Sequence, residues 1–140
     1  MKKFKSGIVH EYLFCEVGKA IGRLGSRWRL RRNTSIARDQ GLQPDMLVLA
    51  PDGERFVVEV CCSSVGYDAE NVIAEAAIAG VDKLIVVTPD KGTRDAVKKA
   101  LQKHAAFEGA RQRAPIEVFD SGECLRKDFD WAGRLSKPLV

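Results

Sequence analysis

Long apolar segments are absent from this sequence. Its apolar stretches, such as residues 56–58 and 84–87, are far shorter than the roughly 20 residues that are needed to cross a bilayer. The basic start at residues 1–5 is not followed by the apolar stretch of a secretory signal peptide. We therefore expect a cytoplasmic protein that makes no contact with a membrane.

Cysteine pairs at metal-binding spacing are also absent. The four cysteines are Cys15, Cys61, Cys62 and Cys124, and none of them forms a C-x-x-C pair. Zinc sites usually show paired ligands at short spacing. Adjacent cysteines on a strand would point to opposite faces of the sheet. We therefore expect buried thiols rather than a structural zinc site or a disulfide framework.

Linkers, internal repeats and low-complexity segments are not evident. A chain of 140 residues, 45% hydrophobic and 30% charged, suits one globular domain with a sizeable core. We expect this domain to span residues 1–140, with a core at about 6–119 and a tail at about 120–140. The sequence also shows no Ser-His-Asp arrangement, phosphate-binding glycine loop or helix-turn-helix pattern.

Positive charge is concentrated at the start of the chain. Residues 1–40 contain ten Lys or Arg and three acidic residues, a net charge of +7, whereas residues 41–140 have a net charge of −3. A basic region of this kind can attract a polyanion by neutralising its phosphates. A solvated basic face without a ligand is the alternative interpretation.

Hydrophobic periodicity predicts eight elements in the order α-β-β-β-α-β-α-β. The predicted helices cover about residues 6–24, 68–79 and 91–106, and the predicted strands about residues 27–33, 46–50, 55–61, 83–88 and 115–119. The turn residues at 51–54 indicate a hairpin between the second and third strands. A strand meander followed by a helical crossover predicts an α/β fold with a mixed central sheet flanked by helices.

Two carboxylates are placed to meet across this hairpin. Asp45 opens one strand and Glu59 lies near the end of its partner, among Val57, Val58 and Val60. A carboxylate in such an apolar strand needs a partner, and a second carboxylate beside it favours a bridging cation. Hard oxygen ligands suit Mg²⁺ or Mn²⁺. Asp45 as a simple turn residue, and Glu59 as an outward-facing residue paired with Arg55, remain alternatives.

The segment from Pro44-Asp45 to Glu59-Val60-Cys61 resembles the PD-(D/E)XK motif of the restriction-endonuclease-like nucleases. The core of that superfamily is a helix, a three-strand meander, a helix and a strand, which is similar to the element order predicted for residues 6–88. His10-Glu11-Tyr12 also looks like members that are linked to mobile elements. The resemblance implies a restriction-endonuclease-like core and, if the domain is active, a magnesium-dependent endodeoxyribonuclease.

The resemblance also implies roles for individual residues. Asp45, Glu59 and the main-chain carbonyl of Val60 would bind the metal ion, which activates a water molecule. Glu16 on the first helix matches a further acidic residue of many members. Cys61 occupies the catalytic position of the family's lysine, and a thiol supplies no fixed positive charge there.

Arginines around the first predicted strand are the candidates for phosphate contact. On that strand, Trp28 and Leu30 would share one face and the intervening arginines would share the other. The predicted nucleic-acid-binding residues are Arg27, Arg29, Arg31, Arg32 and Arg38.

Two further interpretations remain open. A binding module that keeps the nuclease-like fold without catalysis would bind DNA or a protein, and a homodimer could form through Phe129 and Trp131 in the tail. In a purely structural or regulatory α/β domain, Asp45 and Glu59 would be separated and face solvent. His10 is interpreted as a surface or capping histidine, because no metal ligand accompanies it at a suitable spacing.

Overall fold

A five-stranded mixed sheet forms the centre of the structure, a computed structural model that describes residues 7–36 and 41–135. The strand order is β1-β2-β3-β4-β5, in the same sequence as along the chain. The pairs β1–β2 and β2–β3 are antiparallel, and β3–β4 and β4–β5 are parallel. The strands are β1 (Arg29–Arg32), β2 (Met46–Leu49), β3 (Arg55–Val60), β4 (Lys83–Thr88) and β5 (Ile116–Asp120).

Helices cover both faces of this sheet, as the α/β prediction requires. The predicted element order is matched as far as the third helix, but an extra helix follows it before β5, and two short helices lie in the predicted tail. The helices are α1 (Ile8–Gly22), α2 (Val65–Ala76), α3 (Lys91–Lys103), α4 (Phe107–Arg113), α5 (Ser121–Cys124) and α6 (Trp131–Arg134). No helix among residues 7–36 and 41–135 is both long enough and apolar enough to span a bilayer.

The predicted hairpin between β2 and β3 is confirmed. Gly53 has a φ of 91°, a left-handed conformation that glycine adopts without steric cost. The Ala50 amide donates to the Glu54 carbonyl at 2.9 Å, and this bond closes the turn. The turn fixes the register of the two strands, in which Met46 lies opposite Val58.

Alternating strand residues divide the core between two layers. Val48, Val58 and Ile85 point towards α1, where they pack with Leu13 and other buried residues of that helix. Residues of the opposite sheet face, including Leu47, Val57 and Val86, pack against α2, α3 and α4. This alternation decides which side chains can meet at any point of the sheet.

The direction of the strands brings several element ends to one edge of the sheet. The carboxyl ends of β1, β3, β4 and β5 lie there, together with the start of the antiparallel β2. Helices α2 and α3 begin after β3 and β4, so their N-termini lie at the same edge. We call it the C-terminal edge. Ligands of open α/β sheets commonly bind at such an edge.

The described part of the tail packs onto the core. Trp131 is 4% exposed and its indole N–H donates to the Cys124 carbonyl at 3.2 Å. The Phe129 ring makes edge contacts with Phe119 and Trp131, at centroid distances of 5.1 and 5.0 Å. Trp131 is therefore part of the core, and the half-buried Phe129 packs against it.

Candidate acidic site

Asp45 and Glu59 meet at the C-terminal edge of the sheet. The Asp45 amide donates a hydrogen bond to Glu59 Oε1 at 2.8 Å, and the Val60 amide donates to Asp45 Oδ2, also at 2.8 Å. Each carboxylate is therefore held by the main chain of the neighbouring strand. The predicted convergence of the two side chains is confirmed, and the separated, solvent-facing arrangement is wrong.

Burial strengthens the electrostatic interaction between the carboxylates of the acidic pair. Asp45 is 7% exposed and Glu59 is 1% exposed. The outward-facing interpretation of Glu59 is therefore wrong. Two ionised carboxylates on paired strand ends with little water around them would repel each other strongly, because the effective dielectric constant is low. A cation between them would reduce this repulsion.

His10 joins the acidic pair, contrary to the expectation that it is a surface histidine. Its Nε2 lies 3.5 Å from Asp45 Oδ2, and the residue is only 8% exposed. The imidazole stacks on Phe14 with 6.2 Å between ring centroids. His10 is three and seven residues before Leu13 and Val17, which are buried on the same face of α1. That spacing was the available sequence signal for its burial.

Strand register places Arg31 on the same sheet face as Glu59. Arg31 lies opposite Leu47, and Leu47 lies opposite Val57. Residues two apart on a strand share a face, so Arg31 and Glu59 point to the same side. Arg29 shares this face, two residues before Arg31. Both arginines are exposed.

The other predicted basic residues are less uniform in position. Arg27 is exposed in the turn before β1. Arg32 points to the opposite face, where its guanidinium lies 5.1 Å from the centroid of the Phe14 ring. Arg38 lies outside the described residues. Leu30 and the half-buried Trp28 pack against the α1 side of the core, as predicted.

The arginines around β1 differ from most arginines in the second half of the chain. Arg94, Arg111, Arg126 and Arg134 each form an ion pair with a carboxylate. Within residues 7–36 and 41–135, no ion pair neutralises the guanidinium groups of Arg27, Arg29, Arg31 or Arg32. This surface therefore retains its positive charge towards an external ligand.

Glu16 does not join the acidic pair. Its carboxylate lies 3.8 Å from Lys19 Nζ, and its side chain is 31% exposed. It lines a separate cleft between α1 and the C-terminal segment, together with Arg23, Lys127 and other residues. The structure therefore offers no support for the predicted catalytic role of Glu16.

Cys61 follows Glu59 by two residues, but its environment is apolar. The residue is completely buried and belongs to the core layer that packs against α2. A completely buried cysteine commonly behaves as a small apolar core residue. We therefore assign Cys61 a packing role, in place of the catalytic position that the motif suggested.

The donor set of the acidic site fits a hard divalent cation. Asp45 and Glu59 supply carboxylate oxygens, and Val60, whose amide donates to Asp45, lies beside them. Among the described residues, no three His, Cys, Asp or Glu side chains are grouped to hold a metal ion. Mg²⁺ suits a site of this composition, because it usually keeps several water ligands and needs only one or two carboxylates.

A cleft of about 500 Å³ opens next to the acidic pair. It lies between the first turn of α1 and the loops that follow β3 and β4, and we call it the apolar cleft. Its lining residues are Gly7, Ile8, Val9, His10, Val60, Cys62, Ser63, Ser64, Asp68, Pro89 and Asp90. The second helix was predicted to begin at about residue 68, but α2 begins at Val65, and Asp68 is buried within its first turn.

The chain matches no protein-family model, and no curated protein sequence matches it.

Proposed function

We propose that this chain is a metal-dependent nucleic-acid-processing domain of the PD-(D/E)XK type, acting on DNA. The proposal rests on one observation: Asp45 and Glu59 are buried together, and each is bonded to the main chain of the other's strand. An arrangement that buries two neighbouring carboxylates is costly in their ionised form unless a cation compensates for it. Metal binding is the function that best accounts for this cost.

The order of elements supports the same proposal. A helix, a three-strand antiparallel meander, a helix and a strand parallel to the third follow one another from α1 to β4. The nuclease superfamily that the motif resembles has this order, and its acidic residues occupy the second and third strands. Asp45 precedes β2 and Glu59 lies in β3, which agrees with that pattern.

In the proposed site, metal binding, phosphate binding and positioning are assigned to different residues. Asp45, Glu59 and the Val60 carbonyl would hold Mg²⁺ or Mn²⁺, which would polarise a phosphate and lower the pKa of a bound water. Arg29 and Arg31 would bind backbone phosphates, because they are exposed on the sheet face to which Glu59 points. His10 would orient Asp45, whose Oδ2 lies 3.5 Å from the imidazole.

A non-catalytic nucleic-acid-binding module is the second candidate. It is favoured by the burial of Cys61 at the position of the family's lysine. Helix α2, to which the lysine has moved in some relatives, contains no Lys or Arg. Such a module would retain the fold and the arginine surface while lacking a group that assists the attacking water.

Isosteric amide variants test the proposal directly. In Asp45→Asn and Glu59→Gln an oxygen remains to accept the 2.8 Å hydrogen bond, so the fold should persist while the negative charge is lost. We expect the wild-type protein to bind Mg²⁺ or Mn²⁺ in calorimetric titrations and to cleave DNA. Both variants should lose metal binding and cleavage.

Glu108→Gln is the matched control, because Glu108 is an exposed carboxylate on α4 that pairs with Arg111. This variant should behave like the wild type. DNA binding that persists in a chelator, without cleavage, would select the binding module instead. An absence of metal binding, combined with no effect of Asp45→Asn on any activity, would refute the metal-dependent proposal.

A further inference from the structure

The apolar cleft exposes aliphatic side chains beside the acidic pair. Ile8 is 91% exposed and Val9 is 52% exposed, and both line the cleft. Val60 and His10 line it too, and these residues also contact Asp45. Adjacent exposed apolar side chains next to a polar site are typical of a ligand-binding surface. A group bound in the cleft would therefore lie next to a phosphate held at the acidic pair.

The charges of the cleft restrict what that group can be. Asp68 and Asp90 line it, and its lining contains no Lys or Arg. Hydrogen bonds from the backbone amide and side chain of Thr93 hold the pKa of Asp90 below its ordinary value, so its carboxylate stays ionised at neutral pH. Phosphate would be repelled from such a cleft. A neutral, flat group that carries N–H donors would be complementary to its aliphatic and acidic lining.

We infer that the apolar cleft binds an unpaired nucleobase, so that the preferred ligand is DNA with a single-stranded end or overhang. This inference rests on the proposed function, since it assumes that the adjacent acidic pair and arginines hold the sugar–phosphate backbone. A base within a duplex is stacked and paired, and its faces cannot reach Ile8 and Val9. A cleft of about 500 Å³ lies within the usual range for small-ligand pockets.

Three labelled DNA hairpins, each closed by a polyethylene glycol linker in place of unpaired loop bases, test this assignment. The first has a blunt end, the second has a short single-stranded overhang, and the third has the same overhang with abasic sites. Their affinities are measured by fluorescence anisotropy with Ca²⁺ in place of Mg²⁺ and Mn²⁺. The wild-type protein should bind the overhang about tenfold more tightly than either other hairpin, which corresponds to ~1.4 kcal/mol.

A double variant tests whether the apolar cleft causes the preference for the overhang. Ile8→Ser combined with Val9→Ser changes two exposed side chains, so the fold should be unaffected, which circular dichroism would verify. The double variant should bind all three hairpins with the blunt-end affinity. Tyr12→Ser is the matched control, because Tyr12 is 59% exposed on the same helix but lines the other cleft. It should keep the preference for the overhang.

Failure of the inference can be separated from failure of the proposed function. Equal, salt-sensitive binding of the blunt and overhang hairpins would overturn the assignment of the cleft and leave the nucleic-acid function intact. The assignment would also be overturned if the double variant kept the preference, or if it weakened binding to all three hairpins equally. No binding of any hairpin would overturn the assignment and the proposed function together.

Discussion

Two substitutions of Glu59 separate its hydrogen bond from its charge. Glu59→Ala removes the acceptor of the Asp45 amide, which lies 2.8 Å from Oε1 in a buried environment. An unsatisfied buried donor costs about 1–3 kcal/mol, and the lost side-chain packing adds to this. Removal of the repulsion from Asp45 offsets part of the loss. We expect the free energy of unfolding to fall by about 2 kcal/mol.

Glu59→Gln should behave differently, because its amide oxygen can still accept the hydrogen bond. A bond to a neutral acceptor contributes about 1 kcal/mol less than one to a charged acceptor. Loss of one charge also removes the repulsion between the two buried carboxylates, which is of similar or greater size at an effective dielectric constant of about 20. Without metal, this variant should be as stable as the wild type or more stable.

Binding of Mg²⁺ should make the wild type more stable than Glu59→Gln, which reverses their order of stability in the absence of metal. A ligand at 100 times its dissociation constant stabilises a protein by about 2.7 kcal/mol. Wild type should gain this stabilisation in excess Mg²⁺, whereas Glu59→Gln should gain little. Urea denaturation with a chelator and with Mg²⁺ measures all of these values, and Glu108→Gln serves as the control. If Glu59→Gln and Glu59→Ala lowered the free energy of unfolding equally in the chelator, the charge of Glu59 would itself be stabilising. That result would refute the reasoning.

Two further predictions concern the basic surface and the acid stability of the fold. The double variant Arg29→Ala with Arg31→Ala should show a shallower dependence of DNA affinity on salt, with the slope of log affinity against log salt concentration reduced by about 1.4–1.8. The control Arg111→Ala should keep the wild-type slope. An unchanged slope in the double variant would exclude phosphate contacts at β1. The Asp120 amide and Arg94 lower the pKa of Glu123 from 4.5 to about 2. Because the pKa is lower in the folded state, this stabilisation is present above about pH 4.5 and is lost as the pH falls towards 2. Glu123→Gln should therefore cost about 1 kcal/mol at pH 7, allowing for solvent exposure of the carboxylate, and nothing near pH 2; a constant difference in urea denaturation would contradict this.

The strands and the acidic pair were predictable because their signals are local. Apolar residues in β3 and β4, and the glycine turn at Gly53, indicate the meander and fix its register. Once the register is set, the approach of Asp45 to Glu59 follows from the geometry of an antiparallel pair. The expected restriction-endonuclease-like core stays a proposal, although the α/β class and the mixed sheet are confirmed.

Helix α4 and the contact of His10 were not predictable in the same way. The chain leaves α3 at His104 in an extended conformation, with no glycine or proline to mark the break before Phe107. His10 is buried because α1 packs its N-terminal turn against the acidic pair, which depends on tertiary structure. The tail likewise packs on the core through Trp131, since a large apolar ring is stabilised by burial against any available apolar surface.

Strand β1 has a consequence for self-association. It is the outermost strand on its side of the sheet, only four residues long, and three of those residues are arginines. Asn33 then takes a left-handed φ of 51°, which interrupts the extended backbone. A short, densely charged edge resists pairing with the same edge of another copy, because like charges would be brought together. The arginines that would bind phosphate therefore also protect the open side of the sheet against aggregation.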